Sequence, residues 1–310
     1  MSVRTSPQWQ PADYRYRRPS WRRPLIILTV IALVLGAGAY AAYTVYQRFV
    51  TQVLTVPGCQ AGNGDNGVPL DFEQAADAST VAGVAVREHL PARALTIAYA
   101  TAYQEDKLEN PAYGDRDSVG IFQQRPSQGW GSATQLQDPA YATQAFFHAL
   151  VQVPNYTTIP VYKAAQAVQK SADGYAYEQW AAQGEQLTAA YTTTPHAVTC
   201  WYDPKQQASS QGLSTELNLH GAATELDHVF GTPGQSGAAL KAITRSHSGS
   251  SDVITTTAGA GWAVANWLVT HAVSYGITHV SYAGYQWSAS LTETSWQRDS
   301  TATVGSIVAS

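Results

Sequence analysis

The chain has 310 residues, of which 45% are hydrophobic and 13% are charged, and its formal net charge is −4. From Phe49 onward, 11 lysines and arginines stand against 21 aspartates and glutamates, so this part of the chain is acidic. Because an acidic surface repels the phosphate backbone, we expect no nucleic-acid partner. The length allows one membrane span followed by about 260 residues, enough for two small domains.

An uncharged apolar stretch lies close to the N-terminus. Residues 25–46 are apolar or small, and they are long enough to cross a bilayer at about 1.5 Å per residue. The stretch is longer than a typical signal-peptide core and lacks a clear cleavage site, which favours an uncleaved anchor over a signal peptide. Only Arg48 follows it closely, whereas five arginines lie shortly before it: Arg15, Arg17, Arg18, Arg22 and Arg23. This asymmetry predicts a single-pass protein of the cell membrane, with a cytoplasmic basic tail at 1–24 and an extracellular C-terminus.

A linker and then helices are predicted after the span. Residues 47–70 are rich in glycine, asparagine and proline, which indicates a linker. Helical periodicity follows at 73–90, 92–108, 139–153, 161–171 and 175–191. Asp138 before Pro139 is typical of a helix start, since the carboxylate caps free N–H groups and proline fits the first turn.

One carboxylate, Glu105, lies at the end of an apolar helical face. Leu95, Ala98 and Ala102 precede it at helical spacing, so all four side chains point inward. Burial and the negative end of the helix dipole both disfavour an ionised carboxyl group. We therefore expect a raised pKa for Glu105, as a general acid needs at neutral pH. Periodicity alone also fits an exposed glutamate in a frayed last turn.

A polar, glycine-containing loop follows the Glu105 helix. Its residues 113–131 read YGDRDSVGIFQQRPSQGWG. The amide side chains of Gln123 and Gln124 both donate and accept hydrogen bonds, which suits the hydroxyl and N-acetyl groups of sugars. Because a loop this polar needs a partner, we interpret it as a ligand-binding segment.

Together with Gln104 and Glu105, this loop resembles a known family, the soluble lytic transglycosylases and goose-type lysozymes. In that family a Glu-Ser pair precedes a Gly-Leu-Met-Gln-like motif, which residues 118–123 resemble here. The longer string 113–131 looks like the branch found in actinobacterial cell-envelope proteins. The resemblance implies a lysozyme-like helical domain at 71–202 with Glu105 as the catalytic acid. It also implies that five residues line the saccharide cleft: Ser118, Gly120, Phe122, Gln123 and Gln124.

The sequence departs from the family at the residue after Glu105. Asp106 replaces the serine, which removes a hydroxyl and adds a charge that would raise the pKa of Glu105 further. Hydrolysis with two carboxylates would need Asp115 or Asp117 as the second group, but loop salt bridges with the neighbouring arginines are the favoured interpretation of both. A lytic mechanism needs no second carboxylate, because the 6-hydroxyl of the substrate attacks. The resemblance favours this route.

Two cysteines, Cys59 and Cys200, bracket the lysozyme-like region. Both follow the predicted span, and disulfides persist outside the cell membrane. We expect them to form a disulfide that closes a loop of about 140 residues and stabilises the fold by about 4 kcal/mol. Two thiols alone are too few for a structural zinc site.

The C-terminal third of the chain has a different composition. Residues 203–215 are rich in glutamine and serine, which indicates a second linker. Short β-prone runs at 252–257 and 277–282 flank a predicted helix at 261–275. This order predicts a small α+β domain at 216–310. The segment 261–287 resembles an accessory domain of actinobacterial envelope proteins.

We expect no metal and no cofactor. His247 and Asp252 are five residues apart, whereas a peptidase-like metal site would place them about seven apart, and the glycine and second histidine that should complete that pattern are not recognisable. The spacing of His220, Asp227 and His228 matches no standard ligand pattern. His271 and His279 flank a predicted turn, where we expect a structural role.

The expected fold class is mainly α: one N-terminal transmembrane helix, a lysozyme-like helical domain and a small α+β domain. The expected function is a membrane-anchored, extracytoplasmic enzyme that cleaves peptidoglycan between N-acetylmuramic acid and N-acetylglucosamine. The alternative is a non-catalytic peptidoglycan-binding or scaffold protein. In both cases the partners are peptidoglycan glycan strands and the membrane, and the C-terminal domain is a candidate contact for another envelope protein.

Overall fold

A computed structural model of the chain describes residues 22–54, 56–171, 173–246 and 248–310. The chain forms two compact units, Met1–Leu54 and Thr55–Ser310, each of which is described by itself. The described part of the first unit is one helix. The second unit combines helices with two antiparallel sheets, so the chain is helical first and α+β afterwards, as predicted at this coarse level.

Helix α1, Arg22–Leu54, contains the predicted span. Its stretch Leu28–Tyr46 has a mean hydropathy of 1.8 over 19 residues, and none of it is buried within the protein. This length and composition suffice to cross a bilayer, although a signal sequence near an N-terminus meets the same criteria. Because Arg15, Arg17 and Arg18 lie outside the described residues, the orientation of the span stays a prediction.

A three-stranded sheet occupies part of the predicted first linker. Strands β1 (Gly58–Ala61), β2 (Val68–Leu70) and β3 (Val198–Trp201) pair in the order β2-β1-β3. The linker interpretation of residues 47–70 was therefore wrong: residues 47–54 belong to helix α1, and Cys59 and Ala61 of β1 alternate into the core. Cys59 lies opposite Cys200 in the sheet, and the two form the predicted disulfide across 141 residues.

Six helices fill the region between β2 and β3. Four of the five predicted helices are present, and each ends two or three residues earlier than predicted. Left-handed Lys107 and Lys170 end two of them. The predicted helix at 175–191 instead divides into a 3₁₀ turn, an α-helix and a π-helical turn at Ala189–Thr193. The helices are α2 (Phe72–Arg87), α3 (Ala92–Asp106), α4 (Ala133–Leu136), α5 (Pro139–Leu150), α6 (Val161–Gln169) and α7 (Ala181–Thr188).

The remaining elements build a six-stranded antiparallel sheet with helices. The predicted linker at 203–215 instead contains a short helix. Its first residue is Pro204, and the side chain of Asp203 caps its N-terminus. The helices are α8 (Pro204–Ser210), α9 (Leu219–Phe230), α10 (Gly261–Thr270) and α11 (Ala272–Tyr275), and the strands are β4 (Leu240–Arg245), β5 (Asp252–Thr256), β6 (His279–Tyr282), β7 (Tyr285–Ser288), β8 (Gln297–Arg298) and β9 (Ile307–Ala309). The strand order is β4-β5-β9-β6-β7-β8.

Residues 71–202 and 216–310 share one hydrophobic core, which differs from the expected pair of separate domains. Helix α10 packs against α2. A buried hydrogen bond of 2.7 Å joins the hydroxyl groups of Ser79 on α2 and Thr270 on α10. The indole of Trp287 donates to the carbonyl of Cys200 at 2.9 Å, and that of Trp296 donates to the carbonyl of Val198 at 2.7 Å. The C-terminal part therefore packs directly against strand β3 and the disulfide.

Replacing Cys59 and Cys200 by alanine should lower the free energy of unfolding by about 4 kcal/mol, because the cross-link restricts the unfolded chain over a long loop. Urea unfolding followed by tryptophan fluorescence measures this change. Either single replacement should match the double one, since each removes the same bond. A loss below about 1 kcal/mol would show that the disulfide contributes little to the fold.

Candidate functional site

Glu105 lies in the last turn of α3. Leu95, Ala98 and Ala102 on the same helix are fully buried, and Glu105 itself is partly buried. The helix ends directly afterwards, because Lys107 adopts a left-handed conformation with φ of 55° and its N–H bonds back to the helix. The inward-facing position predicted from periodicity is therefore confirmed.

Two neutral side chains donate hydrogen bonds to one oxygen of Glu105. The hydroxyl of Tyr177 donates to Oε1 at 2.7 Å, and the amide of Gln169 donates to the same oxygen at 3.0 Å. The Gln169 amide also donates to the carbonyl oxygen of Phe122 at 2.8 Å. The Glu105 carboxyl group is thus held by Gln169 at the end of α6 and by Tyr177, directly before the 3₁₀ turn that precedes α7. Through Gln169 it is also linked to the polar loop.

The pKa of Glu105 is raised above its usual value of 4.5, as predicted. Burial is the largest cause, because it removes water from the charged form. Hydrogen bonds from Tyr177 and Gln169 oppose this shift, and the nearby charge of Asp106 adds to it. Since both donors occupy Oε1, the acidic proton of the neutral form belongs on Oε2.

The two donors keep their own protons. Burial raises the pKa of Tyr177, and the charge of Glu105 raises it further. The amide of Gln169 does not titrate. Among these three groups, Glu105 is therefore the one that can act as the acid, and its pKa is raised above 4.5.

Ser118 and Gln124, expected to contact a saccharide, are used within the fold. Both side chains are buried. The Ser118 hydroxyl donates to the carbonyl of Asp115 at 2.7 Å, and the Gln124 amide donates to the carbonyl of Ala142 at 3.2 Å. These contacts hold the loop in shape and leave neither side chain at the surface.

The other three motif residues also shape the loop. Gly120 has a φ of +79°, and a Cβ there would lie 2.2 Å from the carbonyl oxygen of Leu136, so only glycine fits. Phe122 is fully buried and stacks on Phe146 with ring centroids 4.5 Å apart. Among the five residues expected to line the cleft, Gln123 is the one with a partly exposed side chain. A saccharide contact from Gln123 stays a prediction.

The two candidate second carboxylates form loop ion pairs, which confirms the favoured interpretation. Asp117 accepts hydrogen bonds from Arg125 Nε at 2.8 Å and from the backbone N–H of Ser127 at 2.7 Å. These bonds hold the pKa of Asp117 well below its usual range. Asp115 is exposed and lies 3.8 Å from Arg116.

An aromatic and amide surface adjoins the Glu105 turn. Trp180 stacks on Tyr103 with centroids 5.3 Å apart, and its indole N–H donates to Gln104 at 3.0 Å. The ammonium of Lys107 lies 4.4 Å from the Trp180 ring centroid. Partly exposed tryptophan next to amide groups is a surface that suits a sugar ring.

Sequence reasoning did not identify Gln169, Tyr177 or Trp180. Gln169 and Tyr177 are separated from Glu105 by 64 and 72 residues. No local pattern marks such a pairing, because helical periodicity reports only neighbours three or four residues apart.

The histidines considered as metal ligands have other contacts. His228 pairs with Asp138 at 2.7 Å. His271 is partly buried and stacks on Trp267 with ring centroids 3.9 Å apart, and loss of solvation lowers its pKa to about 4. Across the described residues, no three histidine, cysteine or acidic side chains cluster closely enough to hold a metal ion. His247 lies outside those residues, so the absence of a metal stays a prediction.

A comparison of the chain with models of protein families finds no match, and a comparison with curated proteins finds none either. The lysozyme-like resemblance of residues 71–202 therefore stays a prediction, as does that of the C-terminal part.

Glu105→Gln should stabilise the protein at pH 7, and the gain should shrink towards pH 4. Glutamine Oε1 can accept the same two hydrogen bonds without carrying a charge. Because folding raises the pKa of Glu105 above 4.5, its stability contribution is present below that value and is lost as pH rises through the folded pKa.

Thermal unfolding of wild type and variant at both pH values measures this difference. Asp115→Asn provides the control, because it removes a carboxylate that is exposed rather than partly buried. An equal effect of Glu105→Gln at pH 4 and pH 7 would exclude a raised pKa.

Proposed function

We propose that the protein is a membrane-anchored, extracytoplasmic enzyme that cleaves peptidoglycan between N-acetylmuramic acid and N-acetylglucosamine. The observation that carries the proposal is the partly buried carboxyl group of Glu105, whose pKa is raised and whose Oε1 is held by Tyr177 and Gln169. A carboxyl group whose pKa is raised by burial keeps its proton to a higher pH and can donate it to a leaving oxygen.

In the first step Glu105 donates its Oε2 proton to the glycosidic oxygen as the bond from that oxygen to the muramic C1 breaks. The hydrogen bonds to Oε1 then stabilise the carboxylate that remains, because hydrogen bonds to an anion are stronger than those to a neutral acid. Gln169 keeps the carboxyl group in one orientation, since its second N–H is fixed by the carbonyl of Phe122.

In the second step the 6-hydroxyl oxygen of the muramic residue bonds to its own C1. Glu105 takes the hydroxyl proton and returns to its neutral form, so the step is balanced and produces an anhydromuramic end. This lytic route uses one carboxylate. It is favoured over a two-carboxylate muramidase because Asp117 is committed to Arg125 and Asp115 is exposed beside Arg116.

The location follows from the apolar helix and the disulfide. We propose that Leu28–Tyr46 anchors the protein in the cell membrane and that residues after it lie outside, with the N-terminus in the cytoplasm. A disulfide persists in an oxidising compartment, which supports export of residues 55–310. Peptidoglycan strands would then be within reach of Glu105.

A second candidate function is a non-catalytic protein that holds peptidoglycan in the same cleft. Asp106 favours this alternative, because lytic transglycosylases have a serine at the position after the catalytic glutamate. Burial raises the pKa of Asp106 as well. A binder would retain glycan contacts without needing the family serine, and the C-terminal part could then engage another envelope protein.

Glu105→Gln should lower the rate of glycan cleavage by about 100- to 10,000-fold, the usual contribution of a general acid. Release of soluble muropeptides from purified sacculi by the intact protein in detergent measures the rate. Binding of the variant to sacculi should be unchanged. Asp106→Ser is the matched control next to Glu105 and should remain active. Full activity of Glu105→Gln would reject the catalytic assignment. Wild-type protein that binds sacculi but releases no muropeptides would favour the non-catalytic binding protein.

Two substitutions around Glu105 should move the pH profile of cleavage in opposite directions. Tyr177→Phe removes a hydrogen bond that lowers the pKa of Glu105, so activity should persist to higher pH. Asp106→Asn removes a charge that raises this pKa, so the loss of activity with rising pH should begin at a lower pH than in the wild type. The rate of muropeptide release against pH measures both shifts. Shifts in the same direction would contradict Glu105 as the acid.

A further inference from the structure

An aromatic pocket of about 400 Å³ is formed by the two elements that also hold Glu105. One wall is the first part of α6, and the other is the segment that leads to Tyr177. The residues that line it are Tyr162, Lys163, Gln166, Ala167, Gly174 and Tyr175. The pocket is separate from the contacts that hold the carboxyl group, although it shares both elements with them.

Two tyrosines form the apolar surface of the pocket. The rings of Tyr162 and Tyr175 meet edge to face, with centroids 4.9 Å apart. Tyr162 is partly buried against the core, whereas Tyr175 is 65% exposed. An exposed aromatic ring beside a second one presents an apolar face with polar hydroxyl edges. Such a surface suits the CH face of a sugar ring.

The segment that carries Tyr175 is braced against α6 before any ligand arrives. The Gln166 amide donates to the carbonyl oxygen of Ser171 at 2.8 Å, and the Ser171 hydroxyl donates to Gln166 Oε1 at 2.8 Å. The carboxylate of Asp173 accepts from the backbone N–H of Tyr175 at 3.0 Å. Gly174 packs closely here, since a Cβ would lie 2.8 Å from the Gln166 side chain. Because these contacts fix the backbone in advance, binding costs less conformational entropy.

Short stretches of chain connect the pocket to the acid. Tyr162 lies seven residues before Gln169 on α6, close to two full turns, so both side chains lie on one face of the helix, about 10 Å apart along its axis. Tyr175 lies two residues before Tyr177, at most about 7 Å along the chain. Gln169 and Tyr177 both donate to Glu105. This spacing places the pocket within reach of an oligosaccharide that is bound at Glu105.

The charge of the pocket restricts the ligand. Lys163 is exposed, and its ammonium lies 6.0 Å from the centroid of the Tyr162 ring. Among the six residues that line the pocket, Lys163 is the one with a charge. An N-acetylated sugar meets no like charge there, whereas the ammonium of a deacetylated glucosamine unit would be repelled.

We infer that the pocket between Tyr162 and Tyr175 is a glycan subsite, which takes an N-acetylated sugar unit beyond the two that flank the cleaved bond. The ring of Tyr175 packs on this sugar, and Lys163 disfavours a cationic one. The inference rests on the proposed function, because it takes Glu105 as the place where the strand is cut. It extends the binding surface for the strand along α6.

Calorimetric titration with the tetramer of N-acetylglucosamine tests the role of Tyr175. The parent is the full chain in detergent with Glu105→Gln, so that the probe is not cleaved. Tyr175→Ala removes the exposed ring and should weaken binding about five-fold, the factor for one aromatic contact. Tyr175→Phe is the matched control. It keeps the ring, so it should bind the tetramer as the parent does.

The deacetylated tetramer tests the role of Lys163. At about pH 6 its amines are protonated, and the parent should bind it more weakly than the acetylated tetramer. Lys163→Gln should raise the affinity for the deacetylated tetramer and leave that for the acetylated one unchanged. Lys205→Gln is the control, because Lys205 is an exposed lysine on α8 that does not line the pocket. It should change neither affinity.

Equal affinities of the parent and Tyr175→Ala for the acetylated tetramer would overturn the inference, as would absence of binding by the parent. An equal loss in Tyr175→Phe would overturn it too, because the ring would then not be the contact. Deacetylated tetramer that binds as tightly as the acetylated one would contradict the ligand class. These titrations follow binding alone, so they do not depend on whether Glu105 is catalytic. Failure of the proposed function would instead appear as absent cleavage of sacculi by protein with an intact Glu105.

Discussion

One amide group, that of Gln169, joins the parts of the molecule on which the proposed chemistry depends. It donates to the carboxyl oxygen of Glu105 and to the backbone carbonyl of Phe122. Both partners are far from it in sequence, so α3, α6 and the polar loop must all be in place before the carboxyl group is oriented. The buried stack of Phe122 on Phe146 fixes the loop end of this link. Orientation of the acid is thus a property of the whole helical region.

The same helical region depends on the rest of the second unit. Helix α2 packs against α10, and the indoles of Trp287 and Trp296 bond to the carbonyls of Cys200 and Val198. Strand β3 therefore carries one half of the disulfide and also bonds to the C-terminal part. Removing residues 216–310 would expose core surface, so this part acts as a structural partner of the helical region.

Local features were predictable from the sequence. Helical periodicity identified α3 and the inward position of Glu105, the cysteine count suggested the disulfide, and the uncharged run located the apolar helix. These features depend on neighbours along the chain or on residue type alone.

Features set by distant contacts were not predictable in the same way. Strands β1 and β2 have four and three residues, too few to give a strand pattern, and β1 also pairs with β3, where Cys59 and Cys200 are 141 residues apart. The motif residues Ser118 and Phe122 matched a ligand-binding string, but burial determines how their side chains are used. Tyr177 reaches Glu105 only through tertiary packing. Site residues supplied by other elements therefore required the structure.

Mass spectrometry of the soluble products released from purified peptidoglycan by the intact protein tests the role of Glu105 most directly. Fragments with anhydromuramic ends are expected from the wild type and should be absent with Glu105→Gln. Wild-type protein that binds peptidoglycan but releases no glycan fragments would contradict the assignment of Glu105 as a catalytic acid.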